Sequence, residues 1–196
     1  MEYVLAALAG YLLGSILVAP LVARRHGVDL RRTGDGNPGA WNALEQLGPR
    51  RAWPVFAGDA LKGTLAGLAG CALAGTAGAY VAVAGAMLGH ALPLFARLRG
   101  GKAVMTFVGG AFVLAPLGAL IALAACLLVT ALTRSFALCA RVGVFGFPLA
   151  QLAVAPVEHV AATGGLMTLI GVLFVARRSA PATSGPAAGP TTSGAP

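Results

Sequence analysis

Acidic side chains are nearly missing from this 196-residue chain: six Asp and Glu stand against fourteen Lys and Arg, and residues of either charge make up only 10%. A soluble domain carries about a quarter charged residues, so water is excluded as the main solvent for most of the surface. Cysteine is sparse too. Cys71, Cys126 and Cys139 lie in or beside apolar segments, share no metal-ligand spacing, and read as packing residues rather than as a metal centre. Aromatics reach only 7%.

What remains is apolar and small. Hydrophobic residues make up 58% of the chain, mean hydropathy is +0.83, and there are 28 glycines. Small residues let helix backbones approach closely in lipid, where no hydrophobic effect drives helices together. The expectation is an all-α integral membrane protein, a tight bundle of about seven transmembrane helices. A net charge of +8 would suit a nucleic-acid partner, but the cations stand in pairs and small clusters between apolar runs. That is a topology signal and argues against nucleic acid.

A spanning helix needs about 20 apolar residues. Residues 3–23, 53–74, 77–95, 116–133 and 160–176 meet that length or approach it. Segment 102–114 is short, and 135–156 is interrupted by Arg141, Gly146 and Pro148. Residues 1–22 lack the basic start and cleavage site of a signal peptide and read as a retained first helix. Arg24, Arg25, Arg31, Arg32, Arg50 and Arg51 crowd the first loop, and Arg97, Arg99 and Lys102 the third. The positive-inside rule puts both loops in the cytoplasm, the N-terminus outside and the C-terminus inside. Residues 1–178 form the helical domain on this reading. Residues 179–196, rich in Pro, Ala, Gly, Ser and Thr, have nothing to bury and are expected to be a disordered cytoplasmic tail.

The first loop is unusual for a connector. It runs through Arg31, Arg32, Thr33, Gly34, Asp35, Gly36, Asn37, Pro38, Gly39, Ala40, Trp41 and Asn42. Glycines allow successive N–H groups to converge on an anion, and Arg31 or Arg32 can add charge-assisted bonds to phosphate. A turn-rich loop with arginines facing lipid headgroups is the plainer alternative. In the third loop, Gly100-Gly101-Lys102 precedes a helix, where unpaired N–H groups, the positive dipole end and a lysine suit a phosphate; an interfacial anchor is the alternative. His90, near the same membrane face, reads as a proton-transfer group or a packing residue. Asp59 and Lys62 share one helix face inside an apolar run, so they are expected to turn inward and pair or to line a wet cavity.

Taken together, these segments resemble the bacterial acyl-phosphate glycerol-3-phosphate acyltransferases of the PlsY type. The resemblance rests on Gly14-Ser15-Ile16, Asp29-Leu30-Arg31, Gly34 to Asn42, Asp59-Ala60-Leu61-Lys62-Gly63 and Gly89-His90 through Lys102. It implies a seven-helix enzyme of the bacterial plasma membrane with its polar loops facing the cytoplasm. Such an enzyme moves an acyl group from acyl phosphate to the 1-hydroxyl of glycerol 3-phosphate, giving lysophosphatidic acid for phospholipid synthesis without metal or cofactor. Its partners are those two substrates and membrane lipid. The resemblance assigns phosphate contacts to Gly34, Gly36, Asn37, Gly39 and Asn42, and to Gly100, Gly101 and Lys102, with Arg31 beside them. No catalytic residue is assigned; Asp35 and His90 are the candidates. Asp35 stands where the family carries serine, Trp41 where it carries threonine, and Glu45 where it carries arginine. A catalytically inactive relative that binds lipid or a phosphometabolite is the rival reading.

Overall fold

The computed structural model describes residues 1–178 and is all helix and turn among them. The expected tail at 179–196 lies outside the described residues. The elements are α1 (Glu2–Gly14), α2 (Val18–Arg25), α3 (Ala40–Leu47), α4 (Pro49–Ala91), a 3-10 turn (Leu94–Ala96), α5 (Val104–Leu114), α6 (Pro116–Thr133), α7 (Phe136–Leu152) and α8 (Val157–Arg178). Four stretches are by themselves long and apolar enough to cross a membrane: Glu2–Arg25, Pro49–Ala96, Pro116–Thr133 and Val157–Ala176. The second of these holds two of the expected spans. Helices α5 and α7 are apolar but shorter.

One local break divides the first expected span, and a second falls where the hydropathy already separates residues 53–74 from 77–95. The first span divides after Gly14, with helix resuming at Val18. Pro20 has no N–H to offer the carbonyl of Ile16 four residues earlier, and the Lys62 ammonium fills that vacancy at 2.9 Å. The second break is in α4, where Ala74 (φ −148°, ψ 33°) is followed by Gly75 (φ 60°, ψ −155°). That backbone region is open essentially to glycine alone. The two arms of α4 fold back on each other, with Gly70 against Gly78 near the bend and Lys62 against His90 at the far end.

Small residues set the closest contacts. A Cβ on Gly10 or Gly14 would strike the carbonyls of Ala82 or Ala86, and one on Gly85 or Gly89 those of Ala7 or Tyr11. Helix α1 therefore runs parallel to the second arm of α4, backbone against backbone. Backbone carbonyls cannot step aside as side chains can. Gly14→Leu is expected to cost at least the upper end of the ~1–3 kcal/mol typical of overpacking. Gly171→Leu, whose Cβ would meet open space, should leave the thermal midpoint in detergent unchanged. Equal melting of the two variants would refute this packing.

At the far end of α1, the Tyr11 hydroxyl donates to Leu92 O (2.8 Å) and Ser15 Oγ accepts from Leu94 N (3.2 Å). These bonds hold the 92–103 loop beside the loop that follows α2, so both polar loops leave the bundle at one end. At the opposite end, Gln151 Nε2 donates to the Tyr80 hydroxyl (2.9 Å), which donates to His159 O (3.0 Å), tying α4, α7 and α8 together. Val83, Met87, Phe107 and Phe147 fill the apolar core between these ends.

The cysteines require a correction. Cys126 and Cys139 are not simple packing residues: they form a disulfide between α6 and α7, with Cα atoms 4.5 Å apart. Helices joined by so short a turn run antiparallel, and their register brings these two positions face to face. Sequence spacing alone carries no such information. Cys71 is free and exposed.

Candidate functional site

The first loop is organised around Asn42. This fully buried side chain sits in the first turn of α3, and its Nδ2 lies 2.9, 3.0 and 3.1 Å from the carbonyls of Leu30, Thr33 and Asn37. Gly34, at φ 59°, packs where a Cβ would collide with Asn42 Oδ1, so the glycine and the asparagine require each other. Two aspartates shape the remaining turns by accepting backbone N–H groups two residues on: Asp29 from Arg31 and Asp35 from Asn37, each at 3.0 Å. Gly36 (φ 69°) lets the chain turn between Asp35 and Asn37, and Gly39 lies against the Asn37 amide. Arg31 reaches across to the other loop, donating from Nη2 to Arg99 O (2.8 Å) and Ala96 O (3.5 Å). Its position fits bracing between loops as well as the expected neighbourhood of phosphate.

The second loop is fastened from beneath. Gly100 N and Gly101 N donate to the carbonyls of Ala91 and His90 at 3.1 and 3.0 Å. A Cβ on Gly101 would meet His90 Nε2, so only glycine lets the chain lie on the imidazole. His90 is buried among polar groups: Lys62 Nζ is 2.7 Å from Nδ1, and Asp59 Oδ1 lies 3.7 Å away. Lys62 also pairs with Asp59 at 2.8 Å. The three ammonium protons therefore face Asp59, His90 and Ile16 O, a full complement for lysine. The Lys62 ammonium lies against Nδ1, which leaves Nε2 facing Gly101. Asp59 and Lys62, expected to turn inward and pair or to line a wet cavity, are both buried and lie 2.8 Å apart. His90 joins them as a third member and supports the Gly-Gly-Lys backbone.

Lys102 emerges from this support toward the first loop. Its Nζ lies 3.3 Å from Asp35 Oδ2 and 4.8 Å over the ring of Phe174 in α8. The next residue, Ala103, caps α5 at φ 59°, a left-handed conformation costly for a residue with a Cβ. Arg97 and Leu98 share it. Three such residues around one lysine are the kind of backbone strain that collects at functional sites.

Trp41 and Glu45, both departures from the resembled pattern, satisfy each other: Trp41 Nε1 donates to Glu45 Oε1 at 2.6 Å across one turn of α3. The indole stacks on Phe136 (5.7 Å), which meets Phe56 edge-on (5.8 Å). Behind this aromatic group lies an apolar pocket of about 220 Å³ in the angle between α5 and α6, closed by α7. Val104 and Met105, directly after the Lys102 turn, are among its lining residues, with Phe56, Phe136, Cys126 and Cys139. The i, i+4 spacing of Trp41 and Glu45 is visible in the sequence once α3 is recognised. The roles of Ile16 and Phe174 depend on long-range packing and leave no sequence signal. Among the described residues, no group of three His, Cys, Asp or Glu side chains is placed to hold a metal ion.

This geometry agrees with comparisons to known proteins. The family described as Glycerol-3-phosphate acyltransferase matches residues 4–182. A glycerol-3-phosphate acyltransferase of Thermoanaerobacter sp. is 41% identical over 150 residues, 76% of each chain. One from Geobacter sulfurreducens is 37% identical over 178 residues, 90% of this chain and 89% of its own. The crystal structure of PlsY, an integral membrane glycerol 3-phosphate acyltransferase, in its glycerol 3-phosphate form superposes with a TM-score of 0.75 at 30% identity, covering 91% of this chain and 88% of that one. Its lysophosphatidic acid form gives 0.72 at 29%. An all-helical bundle of membrane-spanning character, two glycine-rich loops meeting at Lys102, and a match across nearly the whole described chain lead to one assignment: the chain belongs to the glycerol-3-phosphate acyltransferase family.

Proposed function

We propose that this protein transfers an acyl group from acyl phosphate to the 1-hydroxyl of glycerol 3-phosphate, releasing lysophosphatidic acid and inorganic phosphate at the cytoplasmic face of a bacterial plasma membrane. The observation that carries this reading is the Lys102–Asp35 contact at 3.3 Å. It joins the two glycine-rich loops beside an apolar pocket, and the Asp35 carboxylate stands in for an anionic oxygen of substrate. Substrate phosphate then displaces Asp35 from Lys102 and is held by the ammonium, while the Gly100 and Gly101 N–H groups, bonded to Ala91 O and His90 O, keep the lysine in place. The apolar pocket takes part of the acyl chain. Held this way, the glycerol hydroxyl oxygen attacks the acyl carbonyl, the new ester C–O bond forms, and the acyl C–O bond to phosphate breaks. The departing phosphate takes the hydroxyl proton, so no side-chain nucleophile is required. His90 is buried against Lys62, which suits positioning of Gly101 better than proton transfer to substrate.

The topology that fits this chemistry has seven crossings: 2–25, the two arms of α4, α5, α6, α7 and α8. The N-terminus is outside and the arginine-rich loops are inside. Residues 1–178 form the transmembrane helical domain on this reading.

Single-turnover transfer from labelled acyl phosphate to glycerol 3-phosphate tests the proposal. Lysophosphatidic acid should form at a rate that depends on both substrates. Retained binding of either substrate with no product would favour the inactive relative. Asp35→Ser provides a sharper check. An exposed ion pair contributes at most about 1 kcal/mol, so removing this competitor for Lys102 is expected to lower KM for glycerol 3-phosphate about two- to fivefold. A raised KM would mean that Asp35 serves the substrate rather than competing with it.

A further inference from the structure

A second cleft opens at the same end of the bundle, and no residue of 34–42 or 100–102 lines it. Its volume is about 530 Å³, within the ~300–1,000 Å³ usual for ligand clefts. One wall is Ile16, Pro20, Leu21 and Arg24; the others come from Val28–Arg31 and from Phe95–Arg97. Three arginines face one carboxylate across it. The carboxylate, Asp29, already accepts from Arg31 N, and Arg31 is bonded to the carbonyls of Ala96 and Arg99. Arg24 and Arg97 make no ion pair with any described residue and are exposed. Two cations therefore enter the cleft unneutralised.

The rim is apolar. Ile16, Leu21 and Phe95 are 47%, 56% and 68% exposed, and Leu94 and Leu98 beside them are 55% and 53% exposed. Large apolar side chains interleaved with arginines, where an apolar span ends, belong to the headgroup and upper acyl level of a bilayer. A soluble phosphate has no use for such a rim, whereas a phospholipid uses both halves.

We propose that this cleft binds an anionic phospholipid, its phosphate held by Arg24 and Arg97 and its chain lying along Pro20, Leu21 and Phe95, apart from the reaction site. Arg31 forms part of the cleft and also ties the first loop to Arg99 O, next to Gly100. A bound headgroup therefore lies against the brace that joins the two loops.

The test is native mass spectrometry of the full chain in neutral detergent, titrated with dioleoyl phosphatidylglycerol, with dioleoyl phosphatidylcholine, and with inorganic phosphate as competitor. Phosphatidylglycerol should be retained in preference to phosphatidylcholine. Arg24→Gln with Arg97→Gln should weaken its retention about 10- to 30-fold, roughly fivefold for each juxtamembrane cation. The control Arg50→Gln with Arg51→Gln removes two exposed cations outside the cleft and should retain the lipid. No loss in the cleft variant, equal loss in the control, or displacement of the lipid by millimolar phosphate would overturn the proposal. So would a rise in KM for glycerol 3-phosphate caused by the cleft variant in lipid-free detergent, because the cleft would then belong to the substrate site. The binding readout needs no turnover, so it stands or falls separately from the acyl-transfer reading.

Discussion

Replacing Lys102 with alanine is expected to lower kcat/KM for acyl transfer to glycerol 3-phosphate by about 100- to 1,000-fold, the range seen when one preorganised donor to a developing anion is lost. The ammonium sits where the two loops converge, against Asp35 Oδ2 and over Phe174. Its charge is the one that a phosphate approaching this junction meets. The fold should survive the change, because the Asp35 pair is partly exposed and contributes little to stability. The Gly100 and Gly101 backbone bonds to Ala91 and His90 do not involve the lysine side chain. Lys102→Arg should recover part of the loss, since the charge remains while the compact ammonium geometry does not. Wild-type rates from the alanine variant in a single-turnover assay would move the reaction elsewhere in the molecule.

Lys62→Met should act on stability instead, by about 3–5 kcal/mol, the usual result of stripping one partner from a buried ion pair. Three groups lose their donor together: Asp59, His90 Nδ1 and the Ile16 carbonyl that Pro20 leaves without a helix partner. The expected observation is a large drop in the thermal midpoint in detergent. Adding Asp59→Asn to Lys62→Met removes the stranded charge and should restore at least part of that loss. A single variant as stable as wild type would show that the buried lysine is not the tie between α1–α2 and the two arms of α4. The site should feel the same change, because His90 carries the backbone on which Lys102 stands.

Much of this was legible in the chain before folding. Apolar runs separated by arginine pairs determined a multi-helix membrane protein, since each run meets its solvent independently of the others. The glycine-rich loop at 34–39, the Gly-Gly-Lys turn and the i, i+3 pair Asp59–Lys62 marked where polar chemistry gathers. They also carried the family resemblance. Local spacing also implied that Asp59 and Lys62 would meet, because one helical turn brings them together wherever the helix goes.

Partner choice over long range was decided only by the tertiary structure. Lys62 binds Ile16 and His90, 46 and 28 residues away; Arg31 braces the second loop, 65 and 68 residues on; Asp35 pairs with Lys102 at a separation of 67. Cys126 finds Cys139 through the register of a helical hairpin. Each contact requires atoms to come within about 3 Å, and that is set by how closely the helices pack. Glycines on α1 and α4 allow the backbones to touch, and a single glycine at the bend turns α4 back on itself. Hydropathy and spacing specify which segments enter the membrane, while the depth and register at which they meet come from the summed packing of the whole bundle.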